Sequence, residues 1–168
     1  MSCADDVVAF VALGANLGDG AAALRAATQA IDALQLVRVV ARSSLYRTAP
    51  QRSSGPDYWN AVIKLQTAQS PDALLDALLR IESSMGRERP SGALNAPRTL
   101  DLDLLMYATL RRQTPRLTLP HPRMAQRAFV LAPLADVWPE GALDGVAVAE
   151  LAARRIAEGQ RIERLGPL

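Results

Sequence analysis

The sequence predicts an α+β fold built on one antiparallel sheet with helices packed on one face. Three observations carry this expectation. Short apolar, β-branched runs alternate with segments whose apolar residues recur every three or four positions. Through residue 107 these patterns come in the order strand, helix, strand, strand, helix, strand. Between them, Gly, Pro and Ser mark the breaks.

The elements follow in turn. Val7 to Leu13 (VVAFVAL) is almost purely apolar and reads as a buried strand. Gly14-Ala15-Asn16-Leu17-Gly18 breaks it, and Asp19 can cap the next helix. Leu24, Ala27, Ile31 and Leu34 then give that helix one apolar stripe. Val37 to Tyr46 reads as a second strand, 47–56 as a loop, and Tyr58 to Thr67 as a third strand. Ser70-Pro71 starts a helix that runs to about Met85, with proline at its first position. Residues 86–97 form a second long loop, and Thr99 to Tyr107 a fourth strand. A Pro-rich stretch around His121, an apolar segment at Phe129 to Leu134 and a last helix near Val146 to Ala157 follow as C-terminal additions. The order is that of a ferredoxin-like βαββαβ sandwich. Residues 1–168 are expected to form one domain, with 1–6 disordered and 159–168 a tail. Long loops in compact domains are usually functional, so 47–57 and 86–97 are expected to carry function.

Composition narrows the function classes. A chain of 168 residues that is 49% hydrophobic and 21% charged can build a core and is not a disordered segment. No apolar run approaches the ~20 residues that span a bilayer, so no membrane partner is expected. The start, Met1 to Asp6, is acidic and does not read as a signal peptide. Cys3 is the only cysteine, and a cytoplasmic location is the default. A net charge of +2 makes no case for nucleic acid. Of 19 basic residues only Lys64 is a lysine, and the guanidinium fork of the others suits phosphate oxygens.

The sharpest local signal is Arg98-Thr99-Leu100-Asp101-Leu102-Asp103-Leu104. On a strand Asp101 and Asp103 share a face, ~6–7 Å apart at the backbone, and the leucines point into the core. Aspartate is a poor strand residue, and two on one face repel unless something neutralises them. Hard cations such as Mg²⁺ do so; an ordinary solvated strand face is the alternative. Glu82 falls on the apolar stripe of its helix, where a carboxylate needs a partner or reaches solvent at the stripe's edge. Arg87, Arg89, Arg98, Arg116 and Arg127 flank the acidic strand in sequence and form a cationic cup if folding gathers them. Tyr58 and Asn60 share one strand face, where a ring to stack on and an amide to read edges could seat a flat heterocycle. His121, the only histidine, stands between two prolines and is equally open to a structural role.

Six blocks occur in order: Gly14 to Gly18, Ser43 to Thr48 (SSLYRT), Tyr58-x-Asn60, Ile81-Glu82 followed by Gly86-Arg87, Pro97 to Asp103 (PRTLDLD), and Leu119-Pro120-His121. Together they resemble the 6-hydroxymethyl-7,8-dihydropterin pyrophosphokinase family from about Val7 to Glu140. The resemblance implies transfer of pyrophosphate from ATP to the hydroxymethyl group of the reduced pterin, on the route to folate. It implies a monomer acting on small molecules, with ATP as co-substrate and two Mg²⁺ ions held by Asp101 and Asp103. Thr48, Pro50, Tyr58, Asn60 and Phe129 are implied to line the pterin pocket, the ring lying between Tyr58 and Phe129. Glu82, Arg89, Arg98, Arg116, Thr118, His121 and Arg127 are implied to serve ATP, with Arg87 and Arg98 acting on the transferring group. Three positions depart from the family pattern: Ala49 replaces a proline, Leu94-Asn95 replace Arg-Trp, and Leu79 replaces a polar residue.

Two other classes share the element order. An RNA-binding module needs aromatics on its central strands and a basic sheet face, and this sheet is aromatic-poor with two aspartates on its fourth strand. A ligand-sensing domain without chemistry is the third reading.

Overall fold

The computed structural model describes residues 5–16, 19–49, 57–85 and 100–168. The chain enters the sheet with strand β1 (Val7–Ala15), an interior strand. It is followed by helix α1 (Gly20–Asp32), β2 (Val37–Arg42), β3 (Ser44–Thr48), β4 (Tyr58–Thr67), α2 (Pro71–Ser84) and β5 (Asp101–Tyr107). A hairpin of β6 (Arg112–Gln113) and β7 (Thr118–Leu119) leads to a 3-10 turn at Met124–Gln126. Helix α3 (Ala128–Val137), the hairpin of β8 (Ala142–Leu143) and β9 (Val146–Ala147), α4 (Val148–Ala157) and β10 (Ile162–Pro167) complete the chain.

The helix starts form as the caps dictate. Asp19 accepts from Ala22 N at 3.0 Å, and Ser70 accepts from Ala73 N at 3.1 Å with Pro71 at the first position of α2. Gly20 is needed by close approach: a Cβ there would overlap the indole of Trp59, which lies on the first turn of α1.

The sheet is antiparallel throughout, in the order β10-β3-β4-β1-β5, and β2 pairs with β4 beside β3. The single strand expected over Val37 to Tyr46 is therefore two. Ser43 separates them: its N donates to Val62 O, and its Oγ, in place of a backbone carbonyl, accepts from Val62 N, both at 2.9 Å. The pairing with β4 survives while the strand bends.

Strand alternation sends side chains into two cores. Ala9, Val11, Leu13, Ile63, Leu102 and Leu104 pack under α1 and α2 with Leu24, Ile31, Leu74 and Leu78. Phe10, Ala12, Val62 and Leu105 face the other way and are covered by Leu131 and Leu134 of α3 and Val148 and Leu151 of α4. Each fully buried leucine contributes about 1.5–3 kcal/mol. The helices of the βαββαβ unit thus occupy one face, as expected, and the C-terminal helices cover much of the other. An RNA-binding module of this order offers that second face to its ligand.

Residues 159–168 are not a tail, as the sequence suggests; most of them form β10. Its backbone pairs with β3, Ile162 opposite Thr48 and Arg164 opposite Tyr46, and so covers the edge that β3 would otherwise leave open. Asp5 and Asp6 are exposed and irregular, and residues 1–4 lie outside the described residues. So do most of the two long loops, apart from residues 47–49 and 57.

Candidate active site

Three strands bring the predicted residues into one row. Gly14 of β1 is opposite Asn60 of β4 on one side and Asp101 of β5 on the other. One step along, Ala12 is opposite Val62 and Asp103. Asp101 and Asp103 therefore share a face, and Leu102 and Leu104 are buried beneath, as the alternation predicts. An extra residue in β5 near Leu105, opposite the Phe10/Val11 step, shifts the register after this row.

Above the row is a cavity of about 540 Å³. Its floor is Ala12, Leu13 and Gly14 with Asp101 and Asp103; Thr48, Ala49, Tyr58 and Asn60 form one wall. Arg127, Phe129 and Val130 at the start of α3 form a second wall, and Gly159 to Ile162 a third. The volume suits a bicyclic heterocycle with room for part of a second ligand.

Asn60 is only 6% exposed, and its Nδ2 donates to Thr48 Oγ1 at 3.0 Å. That bond sets the amide's orientation and leaves its Oδ1 to face the cavity beside Gly14, whose added Cβ would lie 3.5 Å from it. Tyr58 is 36% exposed, so its ring is available at the rim. Arg127 stacks its guanidinium over Phe129, 5.4 Å from the ring centroid. Charge and aromatic surface thus stand side by side above the carboxylates.

Beneath the second wall, Asp136 of α3 holds β3. Tyr46 O–H donates to Asp136 Oδ2 at 2.8 Å, Ser44 N donates to the same oxygen at 3.1 Å, and Arg164 lies 3.8 Å from Oδ1. Burial, then the bond to Asp136, pushes the Tyr46 phenol up to about 12.

The remaining predicted residues lie along the outer side of β5 rather than in the cavity. Glu82 is 4% exposed and accepts from Leu102 N at 3.2 Å, so the carboxylate on the apolar stripe covers an edge-strand amide. Arg116 pairs with Asp76, and Arg112 with Asp72 at 2.9 Å, strapping the β6–β7 hairpin to α2. Thr118 is opposite Gln113 in that hairpin. His121 N donates to Leu105 O at 2.8 Å, beyond the cis Leu119–Pro120 bond. Desolvation lowers the His121 pKa, Asp103 opposes that, and Arg127 and Arg123 add to the lowering. Its Nδ1 accepts from Arg123 N at 3.2 Å, which leaves Nε2–H as a donor. Pro50, Arg87, Arg89 and Arg98 lie outside the described residues.

Sequence reasoning missed Gly14 as floor and Gln160, Arg161 and Ile162 as wall. The glycine block was visible but carried no phosphate-loop pattern. Ile162-Glu163-Arg164-Leu165 lacks the alternation that marks a strand.

The family model described as 7,8-dihydro-6-hydroxymethylpterin-pyrophosphokinase (HPPK) matches residues 10–139. The chain is 40% identical over 159 residues to 2-amino-4-hydroxy-6-hydroxymethyldihydropteridine pyrophosphokinase of Methylorubrum extorquens, covering 92% of this chain and 98% of that one. To the protein of the same name in Pseudomonas aeruginosa it is 44% identical over 158 residues, covering 93% and 95%. A crystal structure of a Plasmodium falciparum HPPK-DHPS triple mutant superposes with a TM-score of 0.71 at 14% identity, over 91% of this chain. This chain spans 45% of that longer one, and the likeness is one of fold. Among the described residues no helix is long and apolar enough to cross a membrane.

Proposed function

The chain belongs to the 7,8-dihydro-6-hydroxymethylpterin-pyrophosphokinase family, and from that premise we propose how its residues divide the work. The reaction is transfer of a pyrophosphoryl group from ATP to the hydroxymethyl group of the reduced pterin, in folate biosynthesis. The pterin hydroxyl oxygen bonds to the β-phosphorus, the bond from that phosphorus to the bridging α-oxygen breaks, AMP leaves, and the hydroxyl proton is released.

The single observation that carries the reading is the row Asn60, Gly14, Asp101: an amide that can read a heterocycle's edge and a carboxylate pair line one cavity. The pterin lies on the Thr48 and Asn60 side, its ring between Tyr58 at the rim and Phe129 of α3. Asn60, fixed by Thr48, reads the ring's donor and acceptor edge, and the hydroxymethyl group points toward Asp101. ATP approaches from the outer side of β5, where Glu82, Arg116, Thr118 and His121 lie. Arg127, in the cavity wall, meets the phosphates from above; Arg89 and Arg98 serve ATP, and Arg87 and Arg98 act on the transferring group.

Among the described residues no group of three or more His, Cys, Asp or Glu converges as a metal cage. Two carboxylates on one face fit Mg²⁺ nonetheless, since that ion takes one or two carboxylates and fills its shell from phosphates and water. Asp101 and Asp103 are the residues to hold it. Held there, Mg²⁺ would supply positive charge to offset that of the phosphates. The carboxylates hold position because Leu102 and Leu104 are locked in the core beneath them. Phe129 and Val130 exclude water from that side.

The test is to supply the protein with Mg-ATP and 6-hydroxymethyl-7,8-dihydropterin. AMP and pterin pyrophosphate should appear in equal amounts. ADP in place of AMP, or AMP release that ignores the pterin, would sink the reading.

A further inference from the structure

Gln160 follows α4 and Gly159, which takes a φ of +107° at the turn into β10. Its side-chain amide is used at both ends. Oε1 accepts from Ala128 N at 2.8 Å, and Nε2 donates to Gln126 O at 2.8 Å. These two groups bracket Arg127. Ala128 N is one of the orphan amides at the start of α3, and Arg127, the N-cap residue, makes no side-chain cap of its own. The cap comes instead from a residue far along the chain.

The bracketed segment is the one from which Arg127 and Phe129 reach the cavity, one over the other. The preceding carbonyl is held as well, by Arg155 Nε donating to Ala125 O at 3.1 Å. Two residues beyond Gln160, Ile162 pairs with Thr48, whose hydroxyl accepts from Asn60. One amide therefore joins the wall carrying Phe129 to the wall carrying Thr48.

We infer that Gln160 is a positioning residue for pterin recognition: it fixes the backbone on both sides of Arg127, so that Phe129 stands over the cavity before the pterin arrives. The inference rests on the proposed placement of the pterin in this cavity. Gln160 borders the cavity, but its Oε1 and Nε2 both bond to backbone, so it acts through Arg127 and Phe129. Ordering the wall beforehand spares binding the cost of ordering it.

Two variants separate positioning from simple stabilisation. Gln160→Ala removes both bonds. Gln160→Glu keeps an acceptor for Ala128 N and places negative charge at a helix start, which favours the fold. It loses the donor to Gln126 O. The readouts are the melting midpoint, KM and kcat with saturating Mg-ATP, and binding of a pterin analogue followed by its own fluorescence. Both variants should raise pterin KM and analogue Kd by about tenfold, with kcat within about twofold. The melting midpoint of Gln160→Glu should match that of the unaltered protein. A Gln160→Glu protein with unaltered pterin KM and Kd overturns the inference, even if Gln160→Ala melts early. If the unaltered protein binds no pterin analogue, the placement of the pterin itself fails, and this inference with it.

Discussion

Asn60 and Asp101 stand in one row of the sheet with only the bare backbone of Gly14 between them. The hydrogen-bonding end of the site and its anionic end are thus held on paired strands, two strand spacings or ~10 Å apart. In the proposed placement of the pterin, the hydroxymethylated ring bridges that gap.

The gap is itself testable. A Cβ at Gly14 meets no atom closer than 3.5 Å, so Gly14→Ala should fold and keep activity within about threefold. Gly14→Leu projects into the space the ring needs. It should lower kcat/KM for the pterin by about a hundredfold, with a circular dichroism spectrum like that of the parent.

Asp103→Ala should reduce AMP release by at least about a hundredfold at saturating Mg²⁺, while the melting midpoint stays within a few degrees. Chelation of divalent ions should abolish turnover and leave the melting midpoint of the substrate-free protein unchanged. Near-normal rates for Asp103→Ala would exclude the metal assignment.

Glu82 should be important to stability as well as to any contact with ATP. Glu82→Ala leaves Leu102 N buried without its acceptor, a loss of about 1–3 kcal/mol in denaturant unfolding. Glu82→Gln retains an oxygen for that amide and should recover most of the loss. If both variants unfold alike, the bond to β5 is not what the buried carboxylate supplies.

The Tyr46 phenol predicts an alkaline limit. Its folded pKa is raised to about 12 from the ordinary 10.0, so the native state holds the proton more tightly than the unfolded chain. The stability this supplies is complete below pH 10 and is lost as pH rises toward 12. Denaturant midpoints should fall across that window, and Tyr46→Phe should fall less steeply while being less stable at pH 8. Parallel slopes for the two proteins would show that burial and the bond to Asp136 do not raise the phenol's pKa as described.

Much of this was legible in the residues. Tyr58 to Thr67 is a strand with the bounds its pattern suggests, and Ser70-Pro71 starts its helix. Asp101 and Asp103 face the cavity because strand alternation leaves them no other choice once the leucines are buried. What periodicity did not reveal depends on distant partners. The break at Ser43 comes from a hydroxyl answering Val62, and the strand status of Ile162–Pro167 comes from the open edge of β3. Glu82 showed as an anomaly on an apolar stripe, but its partner on β5 could not be read from the helix alone.

The pairing of β10 with β3 also bears on the order in which the molecule assembles. Ile162 must find Thr48 across most of the chain's length, whereas β1 and β4 enclose far less intervening sequence. Distant closures are entropically late, so β1, β4 and β5 with α1 and α2 can condense before the last strand docks. On a ribosome that order seats Asp101 and Asp103 while the cavity wall from Gly159 to Ile162 is still missing, so the cavity takes its full shape only once β10 has docked.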